Sequence, residues 1–197
     1  MLKQISLILL VLFPGLNKFC YSQQAEKVAV LWCDPLLNIR KIYSRNGIIN
    51  ILNKVQKSGI EAIALGIKTS SGEVIYDSKI APRLLEWDDF RVPLNFDPIQ
   101  TFLTEGRNRH LQIYAVFSVF SEGHMVKRKG PIYNGHPEWQ TRVYMVEEEK
   151  PSLLPITEWV YGTTAFANPL LSEVQQYEIT LIKEFLSTYT VDALILD

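Results

Sequence analysis

The sequence predicts an α/β fold with a parallel sheet in βαβαβαβ order. Three observations carry that reading. Short apolar runs recur along the chain, and segments of helical spacing separate them. The last run, Val191–Asp197, is nearly continuous and apolar up to a carboxylate. Such a run fits a strand buried on both faces, as in a parallel sheet covered by helices. Strands alternating with helices imply crossover connections between parallel neighbours.

The elements follow in order. Val28–Trp32 reads as the first strand, ended by Cys33-Asp34-Pro35. Asn46–Lys57 carries Ile48, Ile51, Leu52 and Val55 at helical spacing, with Asn46 as the expected cap and Gly59 as the stop. Ala62–Ile67 is the second strand, and a polar loop, Lys68–Pro82, turns at Ser70-Ser71-Gly72. Arg83–Asn95 has no period, and its Trp87, Phe90 and Val92 mark an ordered loop. Asp97-Pro98 opens the second helix, with Asp97 as cap and Pro98 in its first turn, and the helix runs to Arg109. Leu111–Val119 is the third strand. The segment Phe120–Asn168 lacks helical period, and a stretch this long points to function or to structure of its own. Within it Thr141–Glu147 alternates, and Pro151 and Pro155 bound a return, which predicts a hairpin. The third helix spans Leu171–Tyr189 after Asn168-Pro169.

Four such strands form either half of an eight-stranded barrel or the core of an open doubly wound sheet. The first strand–helix turn, Trp32-Cys33-Asp34-Pro35, has no glycine, which removes the main argument for a nucleotide fold. The long polar, aromatic-bearing segments after strands 2 and 3 instead resemble the catalytic loops of a barrel.

A chain of 197 residues can hold one domain with a sizeable core, and a net charge of -1 gives no bulk attraction to nucleic acid or an anionic membrane. The N-terminus has the form of an export signal. Lys3 supplies the positive region, Ile5–Phe13 the short apolar run, Pro14-Gly15 the break, and Cys20-Tyr21-Ser22 the cleavage site. Residues 1–22 are therefore expected to be removed, leaving 23–197 in the periplasm, at the cell surface or secreted, with no membrane association beyond export. Cys33 would then be the remaining cysteine, without an internal disulfide.

Several stretches together resemble the glycosyl-hydrolase-like family 10 domain, a TIM-barrel family of exported bacterial proteins. They are Val30-Leu31-Trp32-Cys33, Lys57–Ile63, Lys68–Ser78 followed by Ala81-Pro82, Phe96-Asp97-Pro98, Ile113–Phe120, Asn168-Pro169 and Tyr189–Asp197. The pieces fall in the family's order. Ala193 and Arg109-His110 stand where that family usually has glycine. The resemblance implies the first half of a (β/α)8 barrel, because the family's barrel continues past Asp197.

It also implies glycoside hydrolysis of a polysaccharide or oligosaccharide, with cell-wall glycan one option and no cofactor required. That chemistry uses two carboxyl groups, one to protonate the leaving oxygen and one to attack or to activate water. Asp197, at the end of the fourth strand, is the expected catalytic member, with its partner on later strands. Lys68, at the end of strand 2, is expected to face the same cleft and contact sugar hydroxyls. Tyr76 and Trp87 are candidates to stack on sugar faces, and Glu122 and His124 are candidate hydroxyl ligands. Asp34 reads as a turn cap with a subsite role as the alternative, and Asp192 as a structural cap. His124 has no second histidine or cysteine at ligand spacing, so no metal site is expected. The alternatives are a non-catalytic carbohydrate-binding barrel, or another exported barrel enzyme such as a deacetylase or lyase.

Overall fold

The computed structural model describes residues 28–147, 150–159 and 162–197. The expected export signal lies outside the described residues. Four parallel strands form the sheet: β1 (Val30–Cys33), β2 (Ala62–Lys68), β3 (Gln112–Phe117) and β4 (Ala193–Leu196), in spatial order β1-β2-β3-β4. Helices α1 (Arg45–Lys57), α2 (Pro98–Arg107) and α3 (Ser172–Thr188) form the crossovers. The predicted βαβαβαβ order holds throughout.

Every residue of β2 is buried, which matches its uninterrupted apolar run. The outer strands differ. Val30, Leu31 and Trp32 of β1 are exposed, Trp32 at 51%. The expectation that Val191–Asp197 is buried on both faces is corrected: β4 is half-buried and Leu196 is exposed. The cause is position. Among the described residues β4 pairs with β3 on one side alone, and β1 with β2 alone.

Local chemistry sets the helix ends. The cap of α1 is Ser44 rather than Asn46; its hydroxyl accepts from Gly47 N at 3.4 Å, so the cap lies two residues earlier than expected. Gly59 takes φ +68, the left-handed conformation that stops a helix, as expected. Asp97 caps α2 by accepting from Gln100 N at 2.9 Å, and Pro98 occupies the first turn. The other Asp97 oxygen accepts from the Tyr189 hydroxyl at 2.9 Å, tying α2 to the end of α3. Asp192 is a structural cap, its carboxylate accepting from Ile113 N at 2.7 Å.

The long segment after β3 has structure of its own. The predicted hairpin is present as Arg142–Glu147 against Lys150–Pro155. An unforeseen antiparallel pair, Ser121–His124 with Thr164–Phe166, joins the two ends of the segment. It covers a second apolar cluster built on Ile132, Trp139, Ile156 and Val174. The main core lies between the sheet and its helices, around Ile42, Leu52, Leu65, Phe102, Phe117 and Phe185.

Candidate functional site

Parallel strands deliver their C-terminal tips to one side of the sheet, where α/β folds build their sites. Asp197 directly follows β4. Its N–H donates to Phe117 O at 2.9 Å, and its carbonyl accepts from Val119 N at 2.9 Å. The backbone is thus tied to the tip of β3 on both sides of the residue. Its side chain is exposed, and among the described residues no hydrogen bond or ion pair engages the carboxylate.

Lys68 ends β2, but it does not face an open cleft; it is 1% exposed. The β2–β3 register shifts between Gly66 and Lys68, beside Phe117. Its ammonium lies between two carboxylates, touching Glu122 and standing 2.6 Å from Glu178 Oε1. The three side chains are 0%, 0% and 4% exposed. An ammonium buried this completely needs a charged partner, and Glu178 supplies it, with Glu122 in contact on its other side. Burial pushes the Glu122 carboxyl well above the usual carboxylate range; Lys68 opposes that rise and Glu178 adds to it. The expected sugar-binding roles of Lys68 and Glu122 are therefore corrected to an interior ion cluster.

Tyr76 is corrected in the same way. It is 3% exposed, and its ring packs edgewise on Phe185 at 5.6 Å and Tyr189 at 5.8 Å. Its hydroxyl donates to Glu184 at 3.1 Å, and burial raises its pKa. A ring held like this has no free face for a sugar. The same Glu184 accepts from Ser78 Oγ at 2.5 Å and Lys79 N at 2.8 Å, locking the loop after β2 onto α3.

Trp87 and His124 do come together. Their rings meet edge to face at 5.2 Å, and Lys127 Nζ stands 4.7 Å over the Trp87 ring. His124 Nδ1 accepts from Lys127 N at 3.2 Å, so the neutral ring carries its proton on Nε2. Partial burial and Lys127 hold its pKa below the ordinary value. The group can present a neutral N–H donor beside an indole, a combination suited to hydroxyl-bearing ligands. A hollow of about 220 Å³ lies between Leu36–Lys41, a turn running into the short helix Ile39–Ile42, and Trp87–Phe90. Asp34 caps the turn after β1, accepting from Leu37 N at 2.8 Å. A larger groove, about 540 Å³, lies elsewhere, along β1 and α1 beside Trp32, Lys54 and Val55.

Two functional-looking residues escaped the sequence reading, Glu178 and Glu184. Glu178 had a signal: α3 buries Val174, Glu178, Leu181 and Phe185, so a glutamate stands in its apolar stripe. Among the described residues no group of three or more histidine, cysteine, aspartate or glutamate side chains is placed to hold a metal ion.

Four parallel strands with helical crossovers and long structured loops at the strand tips define an α/β barrel-type domain. Residues 30–197 match the family Glycosyl hydrolase-like 10, and the chain belongs to it. It is 25% identical to an S-layer-related protein of Niallia circulans, covering 87% of this chain and 11% of that protein. It is 21% identical to glycosyl hydrolase YngK of Bacillus subtilis (strain 168), covering 89% of this chain and 34% of that protein. The chain thus spans about a third or less of these curated relatives. Among solved structures, α-L-fucosidase isoenzyme 2 from Paenibacillus thiaminolyticus superposes with TM-score 0.61 at 14% identity, covering 87% of this chain and 23% of that one. At that identity the likeness is one of fold, and it agrees with part of a TIM barrel.

Proposed function

We propose that this chain is the first part of an exported barrel glycoside hydrolase that cleaves O-glycosidic bonds of a polysaccharide, with Asp197 as one of its two catalytic carboxyl groups. Family membership and a fold shared with glycosidases support the reading. The observation that carries it is Asp197 itself: a backbone held to Phe117 and Val119, and an exposed carboxylate with no partner among the described residues. That combination suits a group that must be fixed in position and still reach a substrate. The Trp87–His124 pair is the proposed sugar contact, and cell-wall glycan the proposed substrate class. Carboxylate acid–base chemistry needs no cofactor.

Asp197→Asn in the full-length protein tests the assignment, with reducing ends released from peptidoglycan glycan strands and a panel of soluble polysaccharides as the readout. The expected loss is roughly 10²–10⁴-fold with an unchanged circular dichroism spectrum, the range for one acid or base. Cleavage at the normal rate overturns it. Export is checked by N-terminal sequencing of the mature protein, which should begin at Gln23.

A further inference from the structure

We propose that the buried Lys68–Glu178 pair, with Glu122 beside it, is a positioning device for Asp197. The inference rests on the catalytic reading of Asp197 above and adds residues to it.

The path is continuous. Glu178 Oε1, reached from α3, accepts from Lys68 Nζ at 2.6 Å and from Phe120 N at 2.9 Å. Phe120 sits at φ +64, a conformation an aromatic residue adopts only when its surroundings hold it there. The Glu178 carboxylate is such a hold. One residue earlier, Val119 N donates to Asp197 O at 2.9 Å, and Asp197 N donates to Phe117 O at 2.9 Å. Phe117 is in turn the register partner of Lys68 in the sheet. The circuit therefore runs from Lys68 through Glu178, the 117–120 turn and Asp197, and closes on the strand that carries Lys68.

A buried ion cluster is a poor way to stabilise a core. Apolar side chains of similar volume usually do as well or better, because they carry no desolvation cost. What the cluster supplies that they would not is direction: a charged acceptor aimed at one backbone N–H. Glu122 completes it from the strand just beyond the turn, so the turn is gripped on both sides. These residues reach Asp197 only through backbone contacts, so they act on its placement and do not meet substrate.

The test uses the full-length protein, with Lys68→Met/Glu178→Leu, which removes the pair and leaves only Glu122, whose burial favours its neutral form, and Glu178→Gln, which keeps an oxygen for Phe120 N–H. In the double variant, hydrogen exchange at the Val119, Phe120 and Asp197 amides should quicken by about tenfold or more, while β2 amides hold. On the glycan that wild type cleaves, kcat should fall by about tenfold to a hundredfold with KM within about twofold, as expected for a displaced catalytic group. Glu178→Gln should recover most of that kcat. If the double variant does not fold, Glu178→Asp, one methylene shorter with its charge kept, takes its place in the same comparison. Unchanged exchange at Val119 and Asp197, an effect confined to KM, or no recovery with Gln overturns the positioning role and leaves the glycosidase reading standing. Normal cleavage by Asp197→Asn instead overturns that reading.

Discussion

Lys68 and Glu178 meet at 2.6 Å in the interior, although 110 positions separate them in the sequence. The pair joins the tip of β2 to α3 across the long segment between β3 and that helix. Removing one member leaves a charge with no water to solvate it. Lys68→Met should therefore cost about 3–5 kcal/mol, because two glutamates then share a dry site. Urea unfolding of the single variant and of Lys68→Met/Glu178→Leu checks this. The double variant should be the more stable of the two, and a single variant within about 1 kcal/mol of wild type would refute the charge argument.

Glu122 makes the same cluster sensitive to pH. Its carboxyl is raised in the folded protein, chiefly by burial, so the native state holds a proton that the unfolded chain releases at ordinary carboxylate values. Stability contributed by that proton is present at low pH. It is lost as pH rises from the ordinary glutamate range toward the raised native value. Glu122→Gln cannot ionise and should lack this slope. Its stability relative to wild type should therefore improve as pH rises above the ordinary glutamate range, measured by chemical unfolding at each pH. A constant difference would show that Glu122 titrates normally.

Much of this fold was legible because it follows local rules. Apolar runs marked the strands, and Asp97-Pro98 marked the start of α2. The alternation of Thr141–Glu147 foretold the hairpin. What the sequence did not disclose depends on long-range contact. Ser121–His124 finds its partner in Thr164–Phe166 after some forty intervening residues, and neither stretch is apolar enough to announce a strand. The burial of Lys68 required knowing that β2 is covered on both faces to its last residue and that Glu178 waits on α3. Tyr76 looked like a loop aromatic because Glu184, Phe185 and Tyr189, which enclose it, come more than a hundred positions later. The readings that held for Asp34 and Asp192 used hydrogen bonds reachable from turn chemistry or strand ends.

Trp87, unlike the buried Tyr76, keeps part of its ring at the surface. It organises two neighbours, His124 at 5.2 Å and Lys127 at 4.7 Å over its ring. Trp87→Ala should weaken glycan binding by about tenfold, the scale of one aromatic contact plus a released cation. The chemical step should be nearly unaffected, so KM should rise while kcat stays within about twofold. Affinity electrophoresis on the cleaved polysaccharide gives an independent measure. Unchanged mobility and KM would return Trp87 to a packing role.

Gly130 and Gly59 offer a contrast that tests how tightly the loop against Glu122 is built. Both sit in the left-handed region, at φ +104 and φ +68. A Cβ on Gly59 would meet nothing within 4 Å, so Gly59→Ala should cost about 1 kcal/mol, the conformational term alone. A Cβ on Gly130 would fall 1.9 Å from Ser71 O and 2.8 Å from Glu122 O. Both are backbone oxygens, which cannot swing aside as a side-chain tip can. Relief would require parting the loop after β2 from the strand that carries Glu122. Gly130→Ala should therefore cost about 3 kcal/mol or more, adding overpacking to backbone strain. Because the displaced strand holds Glu122 against Lys68, the Phe120 amide should also lose protection from hydrogen exchange in Gly130→Ala and keep it in Gly59→Ala. Equal losses of stability in the two variants would mean that the loops slide freely past one another.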